Sequence, residues 1–173
     1  MDQERGEGGS PMTTALRPED VAKTIEAKLP GSVQESDRFG VVVKPSSLLD
    51  VARFLKTDAQ LAMDYLVAVT GVDRVDYFEV IYHLVSMTHN HSVALKAHAP
   101  GRDKPTVPSL VSVWRAADLQ EREVYDLMGV HFEGHPDLRR VLLWDEYEGH
   151  PLRKDFDQIN QWPPGFPTEM PVR

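Results

Sequence analysis

The fold class that this sequence predicts is α+β: a mixed, largely antiparallel sheet with flanking helices and an extended C-terminal docking segment. Three observations carry that reading. Phe78, Val80, Tyr82 and Leu84 alternate with Tyr77, Glu79, Ile81 and His83, and Val93, Leu95 and Ala97 alternate with Ser92, Ala94, Lys96 and His98, which is the period of paired strands. Apolar residues at helical spacing stand on either side of that centre. Beyond Phe132 the periodicity lapses, and the tetrapeptide Glu-Gly-His-Pro occurs at Glu133–Pro136 and again at Glu148–Pro151. Neither Gly nor Pro suits the interior of a helix or a central strand, so this region needs side-chain anchoring to be ordered.

Residues 1–15 are polar and Gly-rich and read as a disordered leader; residues 16–130 form the α+β domain and 131–173 an irregular partner-docking tail. Pro18 opens the first helix, with Glu19 and Asp20 at its positive end. Val21, Ile25 and Leu29 give that helix an apolar face, and Pro30-Gly31 closes it. Val41–Val43 is a short strand. Ser47-Leu48-Leu49-Asp50 has the form of a capping box, followed by a helical face of Leu48, Val51, Ala52 and Leu55. Leu61–Thr70 reads as a strand that ends at Gly71. Asn90-His91 supplies the turn between the two alternating runs, and residues 99–108, rich in Pro, form a surface loop. Asp118 with Glu121 has the spacing of a second capping box, Val124, Leu127 and Met128 give the apolar side of that helix, and Gly129 suits its C-terminal end.

Bulk composition narrows the function. The 173 residues suit one domain, and 41% hydrophobic content is enough for a core. A formal net charge of −8 argues against nucleic-acid binding, which needs excess Lys and Arg. With no cysteine, the chain has no disulfide, no thiol nucleophile and no thiolate for an iron–sulfur cluster. No apolar run approaches the roughly 20 residues that span a bilayer, and the first ten residues lack the basic start and apolar core of a signal peptide. A soluble, cytosolic chain is expected.

Several side chains invite a chemical reading. His89 and His91 form an H-x-H pair, and His83 and His98 lie on neighbouring strands, but no further ligand stands at a recognised metal-site spacing. His135 and His150 each precede proline, which fixes the backbone before it. Each is either a positioned base or, as the favoured reading, a ring that pins an irregular loop through a backbone carbonyl. Glu121 and Glu123, two apart on a helix, do not face each other and are no catalytic dyad; Arg122 and Asp126 have the spacing of a helical ion pair. Arg139-Arg140 and Arg153-Lys154 lack the Gly-rich loop of a nucleotide site; their partners are local acids or acids of another protein.

The stretch Glu121-Arg122-Glu123-Val124-Tyr125-Asp126-Leu127-Met128-Gly129, followed by Phe132, Gly134-His135-Pro136, Leu138 and Arg140, resembles the signature of the C subunit, or 30-kilodalton subunit family, of respiratory complex I, the proton-translocating NADH–quinone oxidoreductase. Glu148–Phe156 continues the resemblance, which is close over residues 114–157; upstream it rests on Thr70-Gly71-Val72-Asp73 and the hairpin. Leu119, Met128 and Asp157 depart from the aromatic, Phe and Pro common in that family.

The resemblance implies a non-catalytic member of the hydrophilic arm, on the cytoplasmic side of the cell membrane, that organises the quinone-reducing module through contacts with the large D subunit of complex I and with other hydrophilic-arm subunits. FMN, Fe–S clusters, NADH and quinone would belong to the complex, with no cofactor on this chain. The expected partner-binding set is Glu121, Arg122, Glu123, Tyr125, Asp126, Phe132, His135, Arg139, Arg140, Trp144, His150, Arg153, Lys154 and Phe156. In it the basic residues pair with carboxylates and Tyr125, Phe132, Trp144 and Phe156 serve as apolar anchors. The alternatives are the equivalent docking subunit of a membrane-bound hydrogenase-type complex, or an independent hydrolase that uses His135 and His150.

Overall fold

The structure, a computed structural model, describes residues 13–156. Its main sheet runs β2 (Val33–Asp37), β3 (Gly40–Val43), β6 (His91–Pro100), β5 (Tyr77–Ser86) and β4 (Tyr65–Asp73) in spatial order, with β1 (Thr14–Ala15) beside β6. β4, β5 and β6 form an antiparallel meander, β3 pairs with β6 in parallel, and β2 returns antiparallel on β3. The helices are α1 (Pro18–Lys28), α2 (Leu48–Thr57) and α3 (Ala117–Met128). A second, two-stranded parallel sheet pairs β7 (Thr106–Pro108) with β8 (His131–Glu133), bracketing α3. The α+β class and the mixed, mostly antiparallel sheet stand as expected.

The core follows the alternation seen in the sequence. Phe78, Val80, Tyr82 and Leu84 of β5, with Val93, Leu95, Ala97 and Ala99 of β6, are buried against Ile25 of α1, Leu48, Val51 and Leu55 of α2, and Val124 and Met128 of α3.

Several expectations need correction. The polar composition extends the leader to residue 15, yet Thr14–Ala15 pairs with His91–Ser92; residues 1–12 lie outside the described residues. β2 is unheralded because Val33–Asp37 is mostly polar and exposed, with no alternation to betray it. β4 starts at Tyr65 rather than Leu61, since Leu61 and Met63 are buried in the turn before it. It also runs through Gly71 rather than ending there. A Cβ on Gly71 would lie 2.5 Å from Met128 Sδ and 2.9 Å from Val124 Cγ1, so glycine is what lets α3 lie against the strand. The expected 99–108 loop contributes the end of β6 and all of β7.

Neither capping box forms. Pro45–Ser47 is already a 3-10 turn, so Ser47 has a helical φ of −104° and makes no side-chain cap. Ala116, not Asp118, caps α3 and is itself helical, which places Asp118 inside the first turn. The turn between β5 and β6 does use Asn90, at φ 53°, but His91 belongs to the strand.

Candidate functional site

The irregular C-terminal segment, residues 134–156, lies over α3 as a strap, held by two of the three buried charges of that helix, Arg122 and Asp126. Glu121 is fully buried and turned toward the chain before the helix: Ser109 donates its hydroxyl to Oε2 at 2.6 Å, and the Leu110 N–H donates to Oε1 at 2.7 Å. Burial pushes its carboxyl up to about 7, against the pull of these two donors, with the charge of Asp118 adding to the push. The Tyr82 hydroxyl, also buried, is raised by desolvation first and by the Glu121 charge second.

Arg122 does not pair with Asp126 as the helical spacing suggests. Its guanidinium donates to the carbonyls of Arg139 and Arg140, each at 3.2 Å. Asp126, fully buried, is taken up by the strap. Its Oδ1 receives Arg140 Nη1 at 2.7 Å, and its Oδ2 receives the consecutive N–H groups of Val141, Leu142 and Leu143 at 3.0, 2.8 and 3.0 Å. Burial by itself would raise this carboxyl, but those N–H donors and Arg140 outweigh it and hold Asp126 below the usual carboxylate range. The three N–H groups form a nest of the kind that binds anions, filled by the protein's own side chain. Arg140 also donates to the carbonyls of Tyr147 and Gly149 at 3.0 and 3.2 Å.

Both Gly-His-Pro turns are pinned by their histidines. The His135 ring accepts the Asp137 N–H at Nδ1, 3.0 Å, which leaves Nε2 to donate to the Asp118 carbonyl at 3.1 Å. His150 donates from Nδ1 to the Asp126 carbonyl at 2.8 Å, and desolvation lowers its affinity for a second proton. His150 also closes over the end of α3. Gly129 there has a left-handed φ of 72°, and a Cβ on it would lie 2.5 Å from His150 Cδ2.

The distal end of the strap is clamped to the β4–β5 hairpin. Asp73, buried, receives Arg102 at 2.8 and 2.9 Å and the Lys154 N–H at 2.9 Å, while Arg102 also pairs with Asp155 at 2.8 Å. Arg102 beside it holds the Asp73 carboxyl far below the usual range. Arg153 donates to the Met128 carbonyl at 2.7 Å, and its guanidinium stands 5.0 Å from the centre of the Phe78 ring. Trp144 meets Tyr147 edge-on at 4.9 Å, and Tyr147 stacks with Phe156 at 6.2 Å.

The expected partner-binding set therefore divides. Glu121, Asp126 and Phe132 are buried within the chain, Phe132 in the main core. Arg122, Arg140 and Arg153, together with both rings of the Gly-His-Pro turns, spend their hydrogen bonds inside the chain, and Arg139 pairs with Asp137 at 2.9 Å. Glu123 and Lys154 remain exposed, and Tyr125, Trp144 and Phe156 half-buried. Sequence reasoning gave no anchoring role to Ser109, Asp73 or Arg102, whose partners stand elsewhere in the chain, and did not single out the exposed Val141 and Leu142.

Of His83, His89, His91 and His98, only His89 and His91 come together, with ring centres 5.4 Å apart. His83 stands opposite Ala94 and His98 opposite Glu79, four positions apart, while His89 and His91 donate from Nε2 to the carbonyls of Ala59 and Leu61 at 2.9 and 2.7 Å. Among the described residues no group of three or more His, Asp or Glu side chains has metal-binding geometry, and no helix is long and apolar enough to cross a membrane.

This α+β fold is one that occurs in a respiratory membrane complex. The fold superposes on a chain in the structure of the membrane-bound sulfane sulfur reductase, an archaeal respiratory membrane complex, with a TM-score of 0.68 and 27% identity, covering 83% of this chain and 88% of that one. The chain belongs to the family of the respiratory-chain NADH dehydrogenase 30 Kd subunit, whose family model matches residues 41–161. Its similar relatives are named as the C subunit of NADH-quinone oxidoreductase. That of Roseiflexus sp. (strain RS-1) is 42% identical over 142 residues, 78% of this chain and 81% of the relative. That of Chelativorans sp. (strain BNC1) is 43% identical over 152 residues, 84% and 74%. That of Ralstonia pickettii (strain 12J) is 45% identical over 143 residues, 78% and 72%. The sequence resemblance to the complex I family thus holds.

Proposed function

We propose that this chain is a non-catalytic structural subunit of the hydrophilic arm of NADH–quinone oxidoreductase, peripheral on the cytoplasmic side of the membrane. It fixes the geometry of the quinone-reducing module by docking on the large D subunit through α3 and the strap. FMN, Fe–S clusters, NADH and quinone are held by other subunits; lacking cysteine, this chain supplies no cluster thiolate.

One observation carries the reading. The groups that look reactive in the family stretch, Glu121, His135 and His150, are each bound to backbone or to Ser109 in a way that orders chain rather than presents a base to solvent. A segment with no regular secondary structure is instead made rigid, which lowers the entropy lost when it docks.

The test is to tag the chain in its source cell, purify it from gently solubilised membranes, and follow NADH–quinone turnover. The expected result is copurification with complex I subunits and turnover in the complex but not in the released chain. Turnover by the released chain overturns the non-catalytic role. A second reading, the equivalent subunit of a complex with different electron chemistry, draws on the likeness to the sulfane sulfur reductase chain; the identities of the copurified subunits decide between the two.

A further inference from the structure

We infer that the strap docks through an apolar knob with an acidic rim, Val141 and Leu142 edged by Asp145 and Glu146, and that the surface it meets in a neighbouring subunit is an apolar socket edged with Lys and Arg. This rests on the docking role proposed above and reverses the charge that the sequence alone suggests for it. By sequence, the arginines are the obvious anchors. In the structure Arg122, Arg140 and Arg153 bond to carbonyls and to Asp126 within the chain, and Arg139, 70% exposed, is paired with Asp137. What the centre of the strap shows to solvent is Leu142, 61% exposed, Val141, 39% exposed, and then two exposed acids, Asp145, within electrostatic reach of Arg139, and Glu146.

A lone exposed leucine needs no explanation. This pair differs because its backbone is immobilised. The N–H groups of Val141, Leu142 and Leu143 are the ones that Asp126 holds, so the two side chains project from a fixed turn. Trp144, half-buried and set edge-on to Tyr147, stands two positions beyond Leu142. A preorganised apolar projection costs little entropy to bury, and the charges around it set the sign of the surface it can approach. An acidic rim repels an acidic socket and draws in a basic one, and the family of multi-subunit complexes to which the chain belongs supplies neighbours for it.

The experiment uses the whole complex. Leu142→Asp and the double variant Asp145→Lys/Glu146→Lys are expressed in place of the native chain, and the sister subunits recovered with each are quantified by mass spectrometry at about 50 mM and about 300 mM salt. Leu142→Asp is expected to reduce recovery about tenfold or more at both salts, because it buries a charge in an apolar socket. The charge reversal is expected to reduce it several-fold at low salt, with the difference shrinking at high salt. Thermal melting of the purified variants should match the native chain, since these side chains are exposed. Native-level recovery of sister subunits by either variant overturns the inference, as does a loss of self-association in place of a loss of sister subunits. A native chain that recovers no sister subunit defeats the docking role itself.

Discussion

Asp126 shows how much of this structure depends on a single carboxylate. It gathers Arg140 and three successive N–H groups in a site without solvent. Asp126→Asn removes the charge that makes those bonds strong and strands Arg140, so chemical denaturation should show a loss of about 3 kcal/mol. Because Asp126 titrates below the ordinary carboxylate range, its contribution is present above that range and is lost as pH falls through its depressed value. Glu121 works in the opposite sense. Its folded value of about 7 exceeds the ordinary 4.5, so the folded state holds the proton more tightly. Stability from this group is complete below about pH 4.5 and declines as pH rises toward 7, by about 3 kcal/mol in all. Glu121→Gln should flatten that slope in melting curves taken from pH 4.5 to 8, whereas an unchanged slope would mean that Glu121 stays ionised. The sequence shows these residues but not their roles. Arg122 and Asp126 have the spacing of a helical pair, yet Arg122 reaches Arg139 and Asp126 reaches Leu143, each 17 positions on. Only the path of the strap reveals those partners.

At the scale of elements, what was legible is what local periodicity encodes. The hairpin, the apolar faces of the three helices and the closing role of Gly129 are written in alternation, helical spacing and one residue type. β1 and β2 were not legible because their residues are mostly polar and exposed, and their pairing depends on distant partners. The capping boxes misled because the chain enters both helices through turns that are already helical. Of the candidate site, the irregular segment and the pinning role of its histidines could be read, but not the carbonyl and carboxylate contacts that Arg122, Arg140 and Arg153 make. Two glycines test the seat of the strap. Gly129→Ala adds a Cβ 2.5 Å from the His150 ring at a left-handed φ, so it should cost about 2 kcal/mol and speed amide exchange across residues 149–153. Gly71→Ala meets the end of the flexible Met128 side chain but also the stiff Val124, and should cost about 1 kcal/mol with no change in strap exchange.

For the whole molecule, the helices and the inner face of the sheet make a self-sufficient core, and the strap is fixed to it from Asp118 at one end to Asp73 and Arg102 at the other. The stretch that carries the family signature thus runs from α3 into the part of the chain that is held in place without being regular. By the proposed function, that part exists to be held by a neighbour, while the hairpin tip at Met87 faces away from the task. A photoreactive amino acid placed in turn at Leu142, Leu152 and Met87, three exposed positions, tests this most directly in the intact complex. Leu142 and Leu152 are expected to cross-link to the large D subunit, and Met87 is not. Cross-links to that subunit from Met87, with none from the strap, would contradict the docking role.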